Sequence, residues 1–129
     1  MSSAPSSKDL RGLRVLLVED SYLVASSLSR MIRDMGCQVV GPVATVEEAL
    51  PLVDRGACDV GILDVNLGDQ TSEPVANRFV EMKLPFMFVT GYSSPALMSD
   101  RFSDARRVHK PVSEAALAMA IRQTVVGGN

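Results

Sequence analysis

Four apolar runs in this chain each deliver, at their carboxyl ends, residues suited to phosphate chemistry. Val15-Leu16-Leu17-Val18 stops at Glu19-Asp20, Gly61-Ile62-Leu63 at Asp64 and Phe86-Met87-Phe88-Val89 at Thr90, while a shorter run ending at Val108-His109 leads to Lys110-Pro111. In an open parallel sheet the carboxyl ends of the strands share one edge, and ligands bind in the crevice beside it. Three carboxylates, a hydroxyl and an ammonium would then meet at one point. Like charges held a few ångströms apart cannot all ionise cheaply, so the set implies a divalent cation or a compensating lysine. Lys110 supplies the second and the oxygens invite the first.

A carboxylate such as Asp64 attacking a phosphoryl group needs its own charge and that of the spreading equatorial oxygens neutralised, which a metal and a lysine do by position and electrostatics. Oxygen-only ligands suit Mg²⁺, with Mn²⁺ as a substitute, and argue against zinc. His109 is the only histidine, so no imidazole pair is available for a metal, and it reads as a structural neighbour of Lys110. Taken singly, each residue has a plainer reading. Asp64 could cap a turn, Glu19-Asp20 could favour a helix start, Thr90 could finish a strand, and Lys110 could be a solvated loop lysine. Their conjunction at four separate strand ends outweighs the plain readings.

The elements that must position these residues alternate strand and helix. Leu13 to Val18 is a continuous apolar run, as expected of a strand covered on both faces. Ser21 to Met35 carries Leu23, Val24, Leu28, Met31 and Ile32 at helical spacing, with Gly36 as the stop. Gln38 to Val40 reads as a short second strand closed by Gly41-Pro42. Thr45 and Glu48 have capping-box spacing at the head of a helix to about Arg55, in which Pro51 is expected to shorten or kink the element. Asp59 to Val65, Phe86 to Val89 and Arg107 to His109 read as strands; Pro74 to Met82, a short polar segment from Ser94-Pro95, and Ser113-Glu114 through Val125 read as helices. Five strands each followed by a helix predict an α/β fold with a doubly wound, parallel five-stranded sheet.

At 129 residues and 47% hydrophobic content the chain suits one domain, read as residues 11–126 between a flexible tail at 1–10 and a frayed end at 127–129. A formal charge of −2 and scattered arginines argue against nucleic-acid binding. No run is long enough to cross a bilayer and the N-terminus lacks an apolar signal core, so a cytoplasmic protein is expected. Cys37 and Cys58 have no metal-ligand spacing and read as reduced structural thiols.

On these residues the chain resembles the receiver domains of two-component response regulators, from Leu13 to Val126, with the flavodoxin-like (βα)5 fold. The acidic pair, the strand-end aspartate, the Thr and the Lys-Pro stand position by position. The resemblance implies that Asp64 accepts a phosphoryl group from a kinase histidine or phosphotransfer protein. It also implies Mg²⁺ held by Asp20 and Asp64, by Glu19 through water and by the backbone carbonyl of Asn66. Thr90 would bond the phosphoryl oxygen, and Lys110 would pair with the carboxylate and then the phosphate. Lys110-Pro111 would be cis. Phe88-Val89-Thr90-Gly91-Tyr92 and the segment Leu67 to Pro74 are similar to stand-alone receivers with a Phe-x-Thr-Gly-Tyr signature, commonly linked to stress signalling. Most receivers carry Tyr or Phe three residues before the lysine, where this chain has Arg107, so Tyr92 is the aromatic expected to replace it. Gly91, Tyr92, Arg107 and Pro111 are the expected switch and partner surface. A monomer or weak dimer is expected, signalling through a downstream protein contact or phosphorelay.

Two rivals remain at this level. One is a receiver belonging to a longer regulator. The other is a Mg²⁺-dependent phosphohydrolase with an aspartate nucleophile, which would normally carry a second aspartate at the position of Asn66. A nucleotide-binding module is poorer, since both G-x-G-x-x-G and the P-loop are missing.

Overall fold

The apolar runs are buried on both sides because they form the middle of a single parallel sheet. In the computed structural model, which describes residues 10–91 and 100–127, the strands are β1 (Arg14–Val18), β2 (Gln38–Val43), β3 (Val60–Asp64), β4 (Phe86–Thr90) and β5 (Arg107–His109). Their order across the sheet is β2-β1-β3-β4-β5, all pairs parallel. The chain reverses its winding direction between β1 and β3, and a crevice opens at such a point beside the carboxyl ends. Glu19-Asp20 and Asp64 leave from those two strands.

Strand pleating divides the core in two. Leu16, Val18, Leu63, Phe86 and Phe88 face α2 (Val46–Asp54) and α3 (Glu73–Glu81), meeting Val46, Ala49, Val53, Val75, Ala76 and Phe79. Val15, Leu17, Ile62, Met87 and Val89 face α1 (Tyr22–Asp34) and α4 (Glu114–Gly127), meeting Ala25, Leu28, Ile32, Leu117, Ala120 and Ile121. Cys37 lies in the second cluster and Cys58 in the first, so the sheet separates them and both are free thiols. Burial pushes the Cys58 thiol up to about 11, which keeps it protonated and inert.

Local signals act largely as expected. Ser21 caps α1, its hydroxyl accepting from the Val24 amide at 3.3 Å. Thr45 caps α2 by accepting from the Glu48 amide at 3.1 Å, but Glu48 reaches one residue further back than a capping box requires, to the amide of Ala44 at 3.0 Å. Pro51 neither shortens nor ends α2, which continues to Asp54. The proline sits on the exposed side, where a missing backbone donor costs least.

Two expectations are corrected. β2 does not close at Gly41-Pro42 but runs through it to Val43, with a register shift against β1 between Leu16 and Val18. Gly41 takes φ +94°, and a Cβ there would stand 2.8 Å from the Val43 amide. The extra length has a use, because the Val43 carbonyl accepts from the Glu19 amide at 2.9 Å and so fixes the start of the acidic pair. α4 extends to Gly127, past the expected end at Val125 and into the expected frayed end. The segment expected as a fourth helix from Ser94, with Tyr92, lies outside the described residues, as does residues 1–9 of the expected tail. A single 3₁₀ turn, Asp100–Phe102, leads from there toward β5.

Gly61 shows how tightly β3 is packed. A Cβ at this position would stand 2.5 Å from Cζ of Phe79 and 2.9 Å from both Cε atoms, inside a fully buried strand. Gly61→Ala is therefore expected to lower stability by about 1–3 kcal/mol, the usual cost of overpacking a dense core. Urea denaturation measures the loss, and Phe79→Leu in the same chain should recover part of it.

Candidate functional site

Four strand ends converge on one pocket of about 250 Å³. Its walls are Glu19, Asp20 and Ser21 after β1, Asp64, Asn66 and Gly68 at and after β3, Gly91 after β4, and Lys110 after β5. Glu19, Asp20 and Asp64 each offer a carboxylate oxygen within 4.8 Å of the other two. Glu19 and Asp64 are buried, whereas Asp20 is exposed at the mouth. This is an all-oxygen donor set with one side open, which fits a hard divalent cation that keeps several of its waters. Glu19, Asp20 and Asp64 thus lie together as the resemblance implied.

Glu19 is held at both ends. Its Oε2 accepts from the Ser21 amide at 3.1 Å, and its Oε1 lies 3.1 Å from the Lys110 ammonium. Lys110 stands 3.4 Å from Asp64 Oδ1, so it bridges two buried carboxylates, slightly closer to Glu19 than to the aspartate expected as its partner. The backbone of Lys110 is fixed by donation of its amide to the Thr90 carbonyl at 2.8 Å, and Lys110-Pro111 is cis.

Burial raises the Asp64 carboxyl, repulsion from Glu19 raises it further, and Lys110 only partly offsets both, leaving it pushed up to about 7. For Lys110, burial pulls the ammonium down, but the hydrogen bond to Glu19 and the attraction of Asp64 and Glu19 outweigh it, so its pKa is raised. Asp64 is thus a carboxylate whose charge Lys110 compensates only in part, which leaves room for a cation.

The loop after Asp64 is built to stay in place. Asn66 Oδ1 accepts from the Gly68 amide at 3.0 Å, the Leu67 amide donates to the Gln70 carbonyl at 2.9 Å, and Asn66 and Thr71 form an isolated bridge. Gln70 Oε1 accepts from the Val46 amide at 3.0 Å, tying the loop to the start of α2. At Gly68, with φ +87°, a Cβ would approach Asp20 Oδ2 to 3.6 Å, so the bare glycine leaves the mouth open.

The remaining expected residues divide. Thr90 ends β4 as expected, but its hydroxyl lies 3.0 Å from Nδ1 of His109 and it is not among the residues lining the pocket. His109 is therefore more than a neighbour of Lys110, and its contact with Thr90 escaped the sequence reading. The signal was in the register, since Thr90 and His109 are paired positions on β4 and β5. Arg107 pairs with Phe88, two positions below on the same face of the sheet. Its Nη2 donates to the Phe102 carbonyl at 2.6 Å and its guanidinium lies 5.8 Å from the centre of the Phe88 ring. It anchors the 3₁₀ turn where an aromatic ring was the family expectation. Gly91 and Pro111 line a groove beside the pocket, and Tyr92 lies outside the described residues.

Comparison with known proteins accords with this geometry. The family model described as the response regulator receiver domain matches residues 15–122. The solution structure of SdrG from Sphingomonas melonis Fr1 superposes with a TM-score of 0.77 at 37% identity, covering 85% of this chain and 93% of that one. The positive alginate biosynthesis regulatory protein of Pseudomonas aeruginosa is 31% identical over 115 residues, which is 86% of this chain and 46% of the relative. The phyllosphere-induced regulator PhyR of Methylorubrum extorquens is 27% identical over 114 residues, 86% of this chain and 43% of the relative. The chain thus spans about half the length of these two curated relatives. With a family match across most of its length and the family's acidic pocket at the carboxyl edge of the sheet, the chain belongs to the response regulator receiver domains of two-component signalling.

Proposed function

We propose that this chain accepts a phosphoryl group on Asp64 from a histidine kinase or histidine phosphotransfer protein, in a reaction catalysed by its own pocket, and passes the signal on by protein contact or phosphorelay. The observation that carries this reading is Asp64 itself, a buried strand-end carboxylate beside Glu19 and Asp20 and bridged by Lys110. An oxygen of Asp64 forms the new bond to phosphorus while the bond from phosphorus to the donor imidazole breaks. The imidazole keeps the bonding pair and takes up a proton. Lys110 steadies the charge on the transferred group, and the carboxyl oxygen reaches phosphorus without a base because it carries no proton once ionised. A Mg²⁺ ion held by Glu19, Asp20, Asp64 and the Asn66 carbonyl, or Mn²⁺ in its place, supplies charge neutralisation for the incoming phosphoryl oxygens. Asn66 cannot act as a general acid, and its side chain is turned into the loop toward Gly68, which speaks against a phosphohydrolase.

The donor's docking place follows from a groove of about 470 Å³ between α1 and the residues after β5. Leu23, Val24, Leu28, Met31, Pro111 and Val112 make it apolar, and it shares Gly91 and Lys110 with the acidic pocket. A donor helix laid along it brings its phosphohistidine to the pocket mouth. Leu23, 79% exposed on α1, is the residue such a helix would cover. Among the described residues no helix is long and apolar enough to cross a membrane. The mild acidity of the whole chain, a formal charge of −2, argues against nucleic-acid contact.

Incubation with a small phosphodonor and Mg²⁺ should add one phosphoryl group by intact mass, and Asp64→Asn should abolish it. Labelling of Asp64→Asn at the wild-type rate would remove Asp64 from the mechanism. Leu23→Glu should leave that small-donor reaction intact and slow transfer from the kinase of the source organism about tenfold or more, the usual effect of losing a well-buried interface anchor.

The pH dependence has a definite sign. A carboxyl lifted to about 7 in the folded chain, against about 3.9 when unfolded, binds more protons folded than unfolded between those values. Metal-free stability should therefore fall as pH rises from about 4 to about 7 and level off above. Asp64→Asn should lack this slope and, near pH 8 with a chelator, unfold at least about 1 kcal/mol later than wild type, one pKa unit being about 1.4 kcal/mol. Urea titrations across the pH range provide the check, and excess Mg²⁺ should restore wild-type stability by mass action.

A further inference from the structure

The acidic pocket is complete without Thr90. Lys110 lies between Glu19 and Asp64 at 3.1 and 3.4 Å, and Thr90, although buried and at the same edge of the sheet, is not among the residues lining the pocket. Among the described residues its side-chain partner is Nδ1 of His109, at 3.0 Å. We propose that His109 is a positioning residue for Thr90: the imidazole, registered beside it on β5, holds the hydroxyl aside until a phosphoryl group on Asp64 draws it over. This rests on the reading of Asp64 as the phosphoacceptor.

Three observations narrow the motion to one bond. The Thr90 backbone is fixed, since it sits in β4 between β3 and β5 and its carbonyl accepts from the Lys110 amide at 2.8 Å. Only rotation about χ1 then relocates the hydroxyl, and threonine moves between discrete staggered positions. The alternative coupling, through Arg107 two residues before His109 on β5, is closed. Arg107 is engaged by the Phe102 carbonyl at 2.6 Å and lies over Phe88, so its side chain is held by the 3₁₀ turn and not by the site.

The exchange has a direction set by charge. A hydroxyl donating to a phosphoryl oxygen makes a charge-assisted bond roughly twice as strong as one between neutral groups. Before phosphorylation the contact with His109 meets no competing phosphoryl oxygen, and afterwards it does. The released imidazole is exposed on edge strand β5, so phosphorylation at a buried site becomes a change at the surface.

His109 is the only histidine in the chain, so its ring resonances report on this contact without assignment ambiguity. The experiment is ¹⁵N NMR of the imidazole and backbone of the full chain, with and without beryllofluoride and Mg²⁺ as a phosphoryl mimic. The ring nitrogens should shift on addition of the mimic, and Thr90→Val should place them near the shifted values beforehand and leave them there. His109→Ala should bind beryllofluoride about threefold to tenfold more tightly, since no hydrogen bond to the imidazole has to be given up, and His109→Asn, which can restore a hydrogen-bonding group near the position of Nδ1, should return the affinity toward wild type. A merely structural histidine would lower affinity when removed. Shifted amides at Asn66 and Gly91 with an unmoved imidazole would overturn the role of His109 while leaving the site intact. No shift anywhere would overturn the reading of the site, and the latch with it.

Discussion

Two carboxylates, Glu19 and Asp64, are buried side by side at the carboxyl edge of the sheet with one ammonium between them. Burial disfavours ionisation of Asp64, Glu19 compounds the effect, and Lys110 compensates only in part. The pocket is therefore held together by a charge balance short of one positive charge. Everything around it either maintains that arrangement or responds when the missing charge arrives. The raised Asp64 carboxyl is consistent with this view, because a fully compensated aspartate would sit at or below its ordinary value.

Rigid supports hold the imbalance in place. The Glu19 amide is bound to the Val43 carbonyl through the overrun of β2, and its Oε2 is bound to the Ser21 amide at the start of α1. Lys110 is fixed from behind by the Thr90 carbonyl, and the loop after Asp64 is pinned to α2 by Gln70. Each of these contacts is modest alone, since a net intramolecular hydrogen bond contributes about 1 kcal/mol. Together they stop the carboxylates from relaxing apart, which is the easiest way such a cluster could otherwise lower its energy.

At the edge of the sheet formed by β4 and β5, two pairs of side chains meet beside the pocket. Thr90 with His109, and Phe88 with Arg107, form two rungs on the same side of the two strands. The lower rung is tied to the 3₁₀ turn and to the cluster of Phe79, Phe86, Phe88 and Phe102, whose rings meet at tilted and edge-on angles. The upper rung is a single hydrogen bond. Force or charge applied at Asp64 will find the upper rung first because it is the weaker.

Most of the fold, and which groups reach the carboxyl edge of the sheet, were legible in the linear chain. Uninterrupted apolar runs specified buried parallel strands, Ser21, Thr45 and Gly36 punctuated the helices, and the residue types at four strand ends stated the chemistry. These are local properties, set by burial pattern, capping and side-chain identity, and tertiary contacts had no need to overrule them. What escaped were matters of pairing and aim. The continuation of β2 through Gly41-Pro42 depends on Glu19 finding the Val43 carbonyl, and the persistence of α2 past Pro51 depends on which side of the helix faces water. The preference of Lys110 for a place between two carboxylates, the turning of Thr90 toward His109, and the engagement of Arg107 with a carbonyl five residues earlier all depend on the register of strands far apart in sequence. Sequence by itself determined which groups reach the edge of the sheet. Only the tertiary structure decided which of them touch, because a hydrogen bond of 3 Å is specified by the packing of whole strands and not by the residues that make it.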